Sequence, residues 1–129
     1  MDIRSSITDA VLAIGPQHTL RAAARAMAER NIGSAVVMMD DGRPAILTER
    51  DVLRAVASGV DLDTTVVEEH MTSEPTTASP SWDVLKAADA MIRGSFRHLI
   101  AIDGAGSVEG VLSIRDLVAA LLAELKPDS

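Results

Sequence analysis

Cysteine and tyrosine are missing from these 129 residues, and Trp82 and Phe96 are the only tryptophan and phenylalanine. Without cysteine there is no disulfide, no thiolate nucleophile and no cysteine-ligated metal. Two aromatic rings cannot build the stacking platform that holds single-stranded nucleic acid. Basic residues are outnumbered, 12 against 19 acidic ones, and the formal net charge is −7. A charge of that sign disfavours non-specific attraction to phosphate backbones and anionic membranes. No apolar run approaches bilayer-spanning length, and the opening Met-Asp-Ile-Arg carries no signal-peptide core. These absences lead us to expect a soluble, cytoplasmic protein with no membrane insertion and no specific nucleic-acid partner. The length suits one domain, or two half-domains sharing a core.

What the sequence does have, it has twice. LTERDVL (47–53) is echoed by LSIRDLV (112–118). Ile7-Thr8 answers to Met71-Thr72, Pro16 to Pro80, and Leu20, Ala23, Ala24 and Met27 to Val84, Ala87, Ala88 and Met91, all at an offset of 64. Matching GSAVVMMD (33–40) to FRHLIAID (96–103) gives 63, and Thr48 to Ser113 gives 65. Drifts of this size are expected as insertions in surface loops. Each half then reads as one supersecondary unit that needs the other to cover its apolar face, with a cleft between them.

Within the first unit, a short apolar segment (Ala10–Ile14) is broken by Gly15-Pro16. Apolar residues at Leu20, Ala23, Ala24 and Met27 make the stripe of a helix over 19–30. Ala35–Met39 and Ala45–Leu47 read as strands joined by the turn Asp40-Asp41-Gly42. Thr48 opens a second helix that Ser58-Gly59 stops. The second unit repeats this order: a helix over about 82–93, strands at Leu99–Ile102 and Gly110–Leu112, and a helix from Ser113 to about Lys126. We place the repeats at 1–60 and 66–126, joined by 61–65. Apolar strands alternating with one-sided helices imply an α/β (α+β) class.

Thr48-x-x-Asp51 and Ser113-x-x-Asp116 each fall where a strand meets a helix. A hydroxyl with a carboxylate three residues on resembles a capping box, and duplication would copy a cap too. The same residues also suit a ribose phosphate. A helix start offers free N–H groups and partial positive charge, a carboxylate accepts from adjacent sugar hydroxyls, and Arg50 and Arg115 supply charge.

The order of Met-Thr, Pro, an Ala-x-x-x-Met helix, RHLIAID and GVLSIRDL, in two copies over about Ile3 to Leu122, resembles a tandem pair of CBS (cystathionine-β-synthase-type) domains. The resemblance implies a pseudo-twofold, standalone regulatory module, each repeat a small sheet packed with two helices. It implies clefts that bind an adenosine ligand (AMP, ADP, ATP or S-adenosylmethionine), with no cofactor otherwise required. It also implies a homodimer formed through helices, with a further protein partner open. Asp51 and Asp116 resemble the family's ribose-binding aspartates, and Thr48 and Ser113 its hydroxyl residues near ribose or phosphate. Arg97 and His98 fall where the family places basic residues facing phosphate, with Ser34 and Ala35 as first-unit counterparts. Thr76 and Leu12 lie in opening strands whose backbone meets adenine.

Two departures predict unequal sites. Ala45 replaces the glycine present as Gly110 and narrows backbone access, and Ser34 stands where the second unit has a basic residue. The other histidines, His18 and His70, have no metal-ligand spacing with His98. Leu117, Val118, Leu121, Leu122 and Leu125 make a broad stripe divided between core and dimer face. No nucleophile–base set or divided carboxylate pair points to an enzyme. A non-catalytic nucleotide sensor is therefore expected first, and a dimerising adaptor with empty or vestigial sites second.

Overall fold

Helices with one apolar stripe and strands apolar throughout give, among the described residues of the computed structural model, two three-stranded sheets and four α-helices, a mixed α+β fold. The structure describes residues 1–125. Lys126, where the sequence ends the last helix, lies outside the described residues.

The chain divides into two compact units that do not follow chain order. One is Val11–Pro75; the other joins Met1–Ala10 to the chain from Thr76 onward. The first contains β1 (Ala13–Ile14), α1 (Leu20–Arg30), β2 (Ser34–Met38), β3 (Pro44–Thr48) and α2 (Glu49–Ser58). The second contains β4 (Thr77–Ala78), α3 (Val84–Gly94), β5 (His98–Ile102), β6 (Val108–Ser113) and α4 (Ile114–Leu125). In each sheet the short first strand pairs parallel with the second, which pairs antiparallel with the third.

The units owe their composition to exchanged opening segments. Ile3 is fully buried in the second unit's core, its N–H on the Trp82 carbonyl at 2.9 Å, and Thr8 bridges to Val111 of β6. Val67, 64 residues on, is fully buried in the first unit's core, and Thr72 bridges to Ile46 of β3. Residues 3–8 thus complete the second repeat, and 67–72 complete the first. Asp61–Thr65 closes on α1, whose Leu20 and Arg21 N–H groups reach the Thr65 and Leu62 carbonyls.

The expected helical stripe is the buried one: Leu20, Ala23 and Met27 in α1, and Val84, Ala87 and Met91 in α3. Thr19 caps α1, accepting the Ala22 N–H at 3.1 Å. Asp83 caps α3 by accepting the Leu85 N–H at 2.9 Å, a bond that holds its carboxyl below the usual carboxylate range. Ala35, Val37 and Leu47 face one core and Leu99 and Leu112 the other. Val36, Ile46 and Ile100 are buried as well, which is why these strands read as continuous apolar runs.

Burial of both strand faces also explains where the sequence alignment slips. The Val36 N–H bonds the Leu12 carbonyl just as the Ile100 N–H bonds that of Thr76, so β2 and β5 correspond at an offset of 64, not 63. A strand apolar on both faces gives no alternation to fix its register. The shift to 65 comes from a β-bulge, not a surface loop. Ile102 pairs with Val108 while Ala101 pairs with Gly110, leaving Glu109 as the extra residue.

Gly110 is where the second unit takes its opening segment. A Cβ there would lie 2.3 Å from the Thr8 carbonyl oxygen and 2.5 Å from Ile7 Cγ2. The glycine therefore serves close packing of the chain's own backbone, a role the sequence did not assign it. Ala45, its counterpart in the first unit, is fully buried and joins the core.

Candidate functional site

In each unit the third strand passes directly into a helix, and the sequence motif sits on that joint. Thr48 is the N-cap of α2: its N–H donates to Asp51 Oδ2 at 2.9 Å, while its hydroxyl accepts the Asp51 N–H at 3.3 Å. Ser113 and Asp116 repeat the arrangement at α4, at 2.8 and 3.2 Å, and the Ser113 hydroxyl adds a third bond to Asp116 Oδ2 at 2.9 Å. Both motifs are thus reciprocal caps. Thr48→Ala is expected to remove one of these bonds and cost about 1 kcal/mol in denaturant unfolding.

The cap consumes only half of each carboxylate. All these bonds fall on Oδ2, so Oδ1 of Asp51 and of Asp116 takes no part in the cap. Asp51 is only 8% exposed, and among the described residues no buried side-chain oxygen lacks a partner. An ionised carboxylate oxygen has room for two hydrogen bonds and can donate none. Each joint therefore presents a fixed acceptor beside a helix N-terminus.

The surrounding chain supplies the other sequence-predicted residues, set by set. In the first unit Ser34 pairs with Thr48 across β2 and β3, Ala35 follows it, and the Gly33 carbonyl accepts the Glu49 N–H at 2.9 Å. In the second unit His98 pairs with Ser113, and the Arg97 carbonyl accepts the Ile114 N–H at 2.9 Å. Arg50 and Arg115 are exposed in the first turns of their helices. Among the described residues Arg97 and Arg115 form no ion pair, and the Arg115 N–H finds no acceptor. Leu12 and Thr76 lie one residue outside β1 and β4, with their carbonyls committed to the sheets.

Correcting the offset changes the pairing of these residues. Ser34 is the counterpart of His98, not of Arg97; the counterpart of Arg97 is Gly33, and that of His98 is not Ala35. The first unit therefore lacks both basic residues at this place. Sequence reasoning also passed over Thr72, whose hydroxyl donates to Asp51 Oδ2 over a long 3.5 Å. The recurrence of Ile7-Thr8 as Met71-Thr72 was the signal for it. Among the described residues no three His, Asp or Glu side chains group as a metal site, and no helix is long and apolar enough to cross a membrane.

Comparison with known proteins gives the arrangement a lineage. A family profile described as the CBS domain matches residues 2–58 and again 67–123. An uncharacterized 17.7 kDa protein of Acidianus ambivalens is 40% identical over 116 residues, covering 89% of this chain and 70% of that protein. The CBS domain-containing protein CBSCBSPB5 of Arabidopsis thaliana is 31% identical over 105 residues, covering 81% of this chain but 19% of its own length. A CBS domain protein from Pyrobaculum aerophilum, solved in complex with AMP, superposes with a TM-score of 0.86 at 34% identity, covering 98% of this chain and 99% of that one. The chain belongs to the CBS domain family and carries two copies of the domain.

Proposed function

We propose that this chain is a non-catalytic regulatory module that binds an adenosine ligand at the strand-to-helix joint of each repeat. The observation carrying this reading is the divided carboxylate: Oδ2 of Asp51 and Asp116 holds the cap, which leaves Oδ1 outside it as an acceptor for ribose hydroxyls. In this assignment Thr48 and Ser113 orient the carboxylate, Arg97, His98 and Arg115 are the basic residues for phosphate, and Arg50 is the basic residue of the first joint. Ser34 and Ala35 line the first joint, and the chain at Leu12 and Thr76 meets the base. The AMP complex of the Pyrobaculum aerophilum protein supports the ligand class by similarity. The same placement of the aspartate in both caps fits binding better than catalysis, which needs an acid and a base in different roles.

Ligand binding regulates only through unequal affinity for two conformations or two partners. We place the output in homodimer geometry or in docking to a protein partner. Exposed Val118, Leu122 and Leu125 on α4 offer apolar surface for either. Isothermal titration calorimetry with AMP, ADP, ATP and S-adenosylmethionine tests the reading. Binding of at least one at micromolar concentration is expected, and no heat from any of them with folded protein would contradict it.

A second reading has one observation in its favour: the caps alone account for both motifs. On that reading the chain is a dimerising adaptor with vestigial joints. A thermal-shift screen separates the two, because a ligand bound only by the folded state must raise Tm at saturation.

A further inference from the structure

Although the two joints share their acceptor, the charges around them differ in sign. At α4 the first turn is Ile114-Arg115-Asp116, and Arg97 and His98 enter β5 alongside, with Arg97 bonded by its backbone to Ile114. Two arginines there outweigh one aspartate. At α2 the first turn is Glu49-Arg50-Asp51, and the adjoining strand entry is Gly33-Ser34. One arginine there faces two carboxylates. The sequence alignment hid part of this contrast, because it set Ser34 against Arg97 and did not show that glycine takes the arginine's place.

Resting on the adenosine-ligand reading above, we infer that the two joints divide ligands by charge: the α4 joint takes a phosphorylated nucleoside, and the α2 joint an unphosphorylated one. Phosphate brings up to two negative charges. At α4 they meet Arg97, Arg115 and the unpaired Arg115 N–H beside the positive end of the helix. At α2 they would meet Glu49 in the same first turn, and the strand entry offers no cation. A neutral nucleoside avoids that repulsion and keeps the ribose contact to Asp51.

Calorimetric titration with AMP and with adenosine tests the division. One AMP is expected per chain, with affinity falling about a hundredfold in Asp116→Asn and about tenfold in Arg97→Ala. Adenosine is expected to bind at the other joint and to be lost in Asp51→Asn. In the variant Glu49→Gln, at an exposed position, a second AMP is expected to appear or to tighten by about fivefold. Two equivalent AMP sites in the unaltered chain, or an AMP site lost in Asp51→Asn, would overturn the division and leave the adenosine-ligand reading standing. Binding of neither compound would overturn both.

Discussion

Asp116→Asn is expected to lower adenylate affinity by about a hundredfold, roughly 2.7 kcal/mol, while leaving the protein almost as stable as before. The substitution separates the two tasks of one side chain. An asparagine keeps a carbonyl oxygen, which takes the place of Oδ2 in accepting the Ser113 N–H and hydroxyl, now at 2.8 and 2.9 Å. Its other end is then an NH2 group where Oδ1 stood, a donor that cannot accept from ribose hydroxyls. The cap survives and the ligand acceptor is gone. Calorimetry with AMP and urea unfolding, run on the same preparation, check both halves. Equal losses of stability and affinity would mean that α4 frays and that the binding defect is secondary.

Gly110→Ala is the second large effect, and it concerns the fold. The new methyl would meet the Thr8 carbonyl at 2.3 Å and the Thr8 carbonyl carbon at 2.9 Å, atoms of the backbone that cannot rotate away. Residues 3–8 must lift from β6, straining the Thr8–Val111 bridge, whose two hydrogen bonds are each 3.0 Å long, and disturbing the buried Ile3. A cost of about 3 kcal/mol follows from overpacking of this kind, which lowers Tm by about 10 °C in a domain of this size. The mirror change, Ala45→Gly, meets no such contact and is expected to cost about 1 kcal/mol through backbone entropy and a lost methyl. Denaturant midpoints of the two variants measure the difference. An unchanged midpoint in Gly110→Ala would show that the opening segment does not pack on β6.

Much of this was legible in the residues. The helical stripes Leu20-Ala23-Met27 and Val84-Ala87-Met91 announced their buried faces because a one-sided helix must alternate with period 3.6. The hydroxyl–x–x–aspartate pairs marked both strand-to-helix joints, and each side chain named there lies at its joint. Strand register was not legible. Val36 and Ile100 are buried like their neighbours, so nothing in β2 or β5 distinguishes one face from the other, and the alignment slid by one residue. The bulge at Glu109 was hidden for the same reason. The exchange of residues 3–8 and 67–72 was beyond reach as well, since a repeat in sequence says which segments are alike and not which segments pack together. Nor does a motif reveal that the cap uses one oxygen of the carboxylate and leaves the other out.

The ribose hydroxyls themselves test whether the carboxylate oxygen left out of the cap takes a ligand. AMP and 2′-deoxy-AMP are to be titrated into the unaltered protein and into Asp116→Asn. A carboxylate oxygen that accepts from the sugar predicts about tenfold weaker binding of the deoxy compound to the unaltered protein, and nearly equal binding of the two compounds to the variant. Equal affinities for both compounds in the unaltered protein would mean that the aspartate finishes the helix and nothing more.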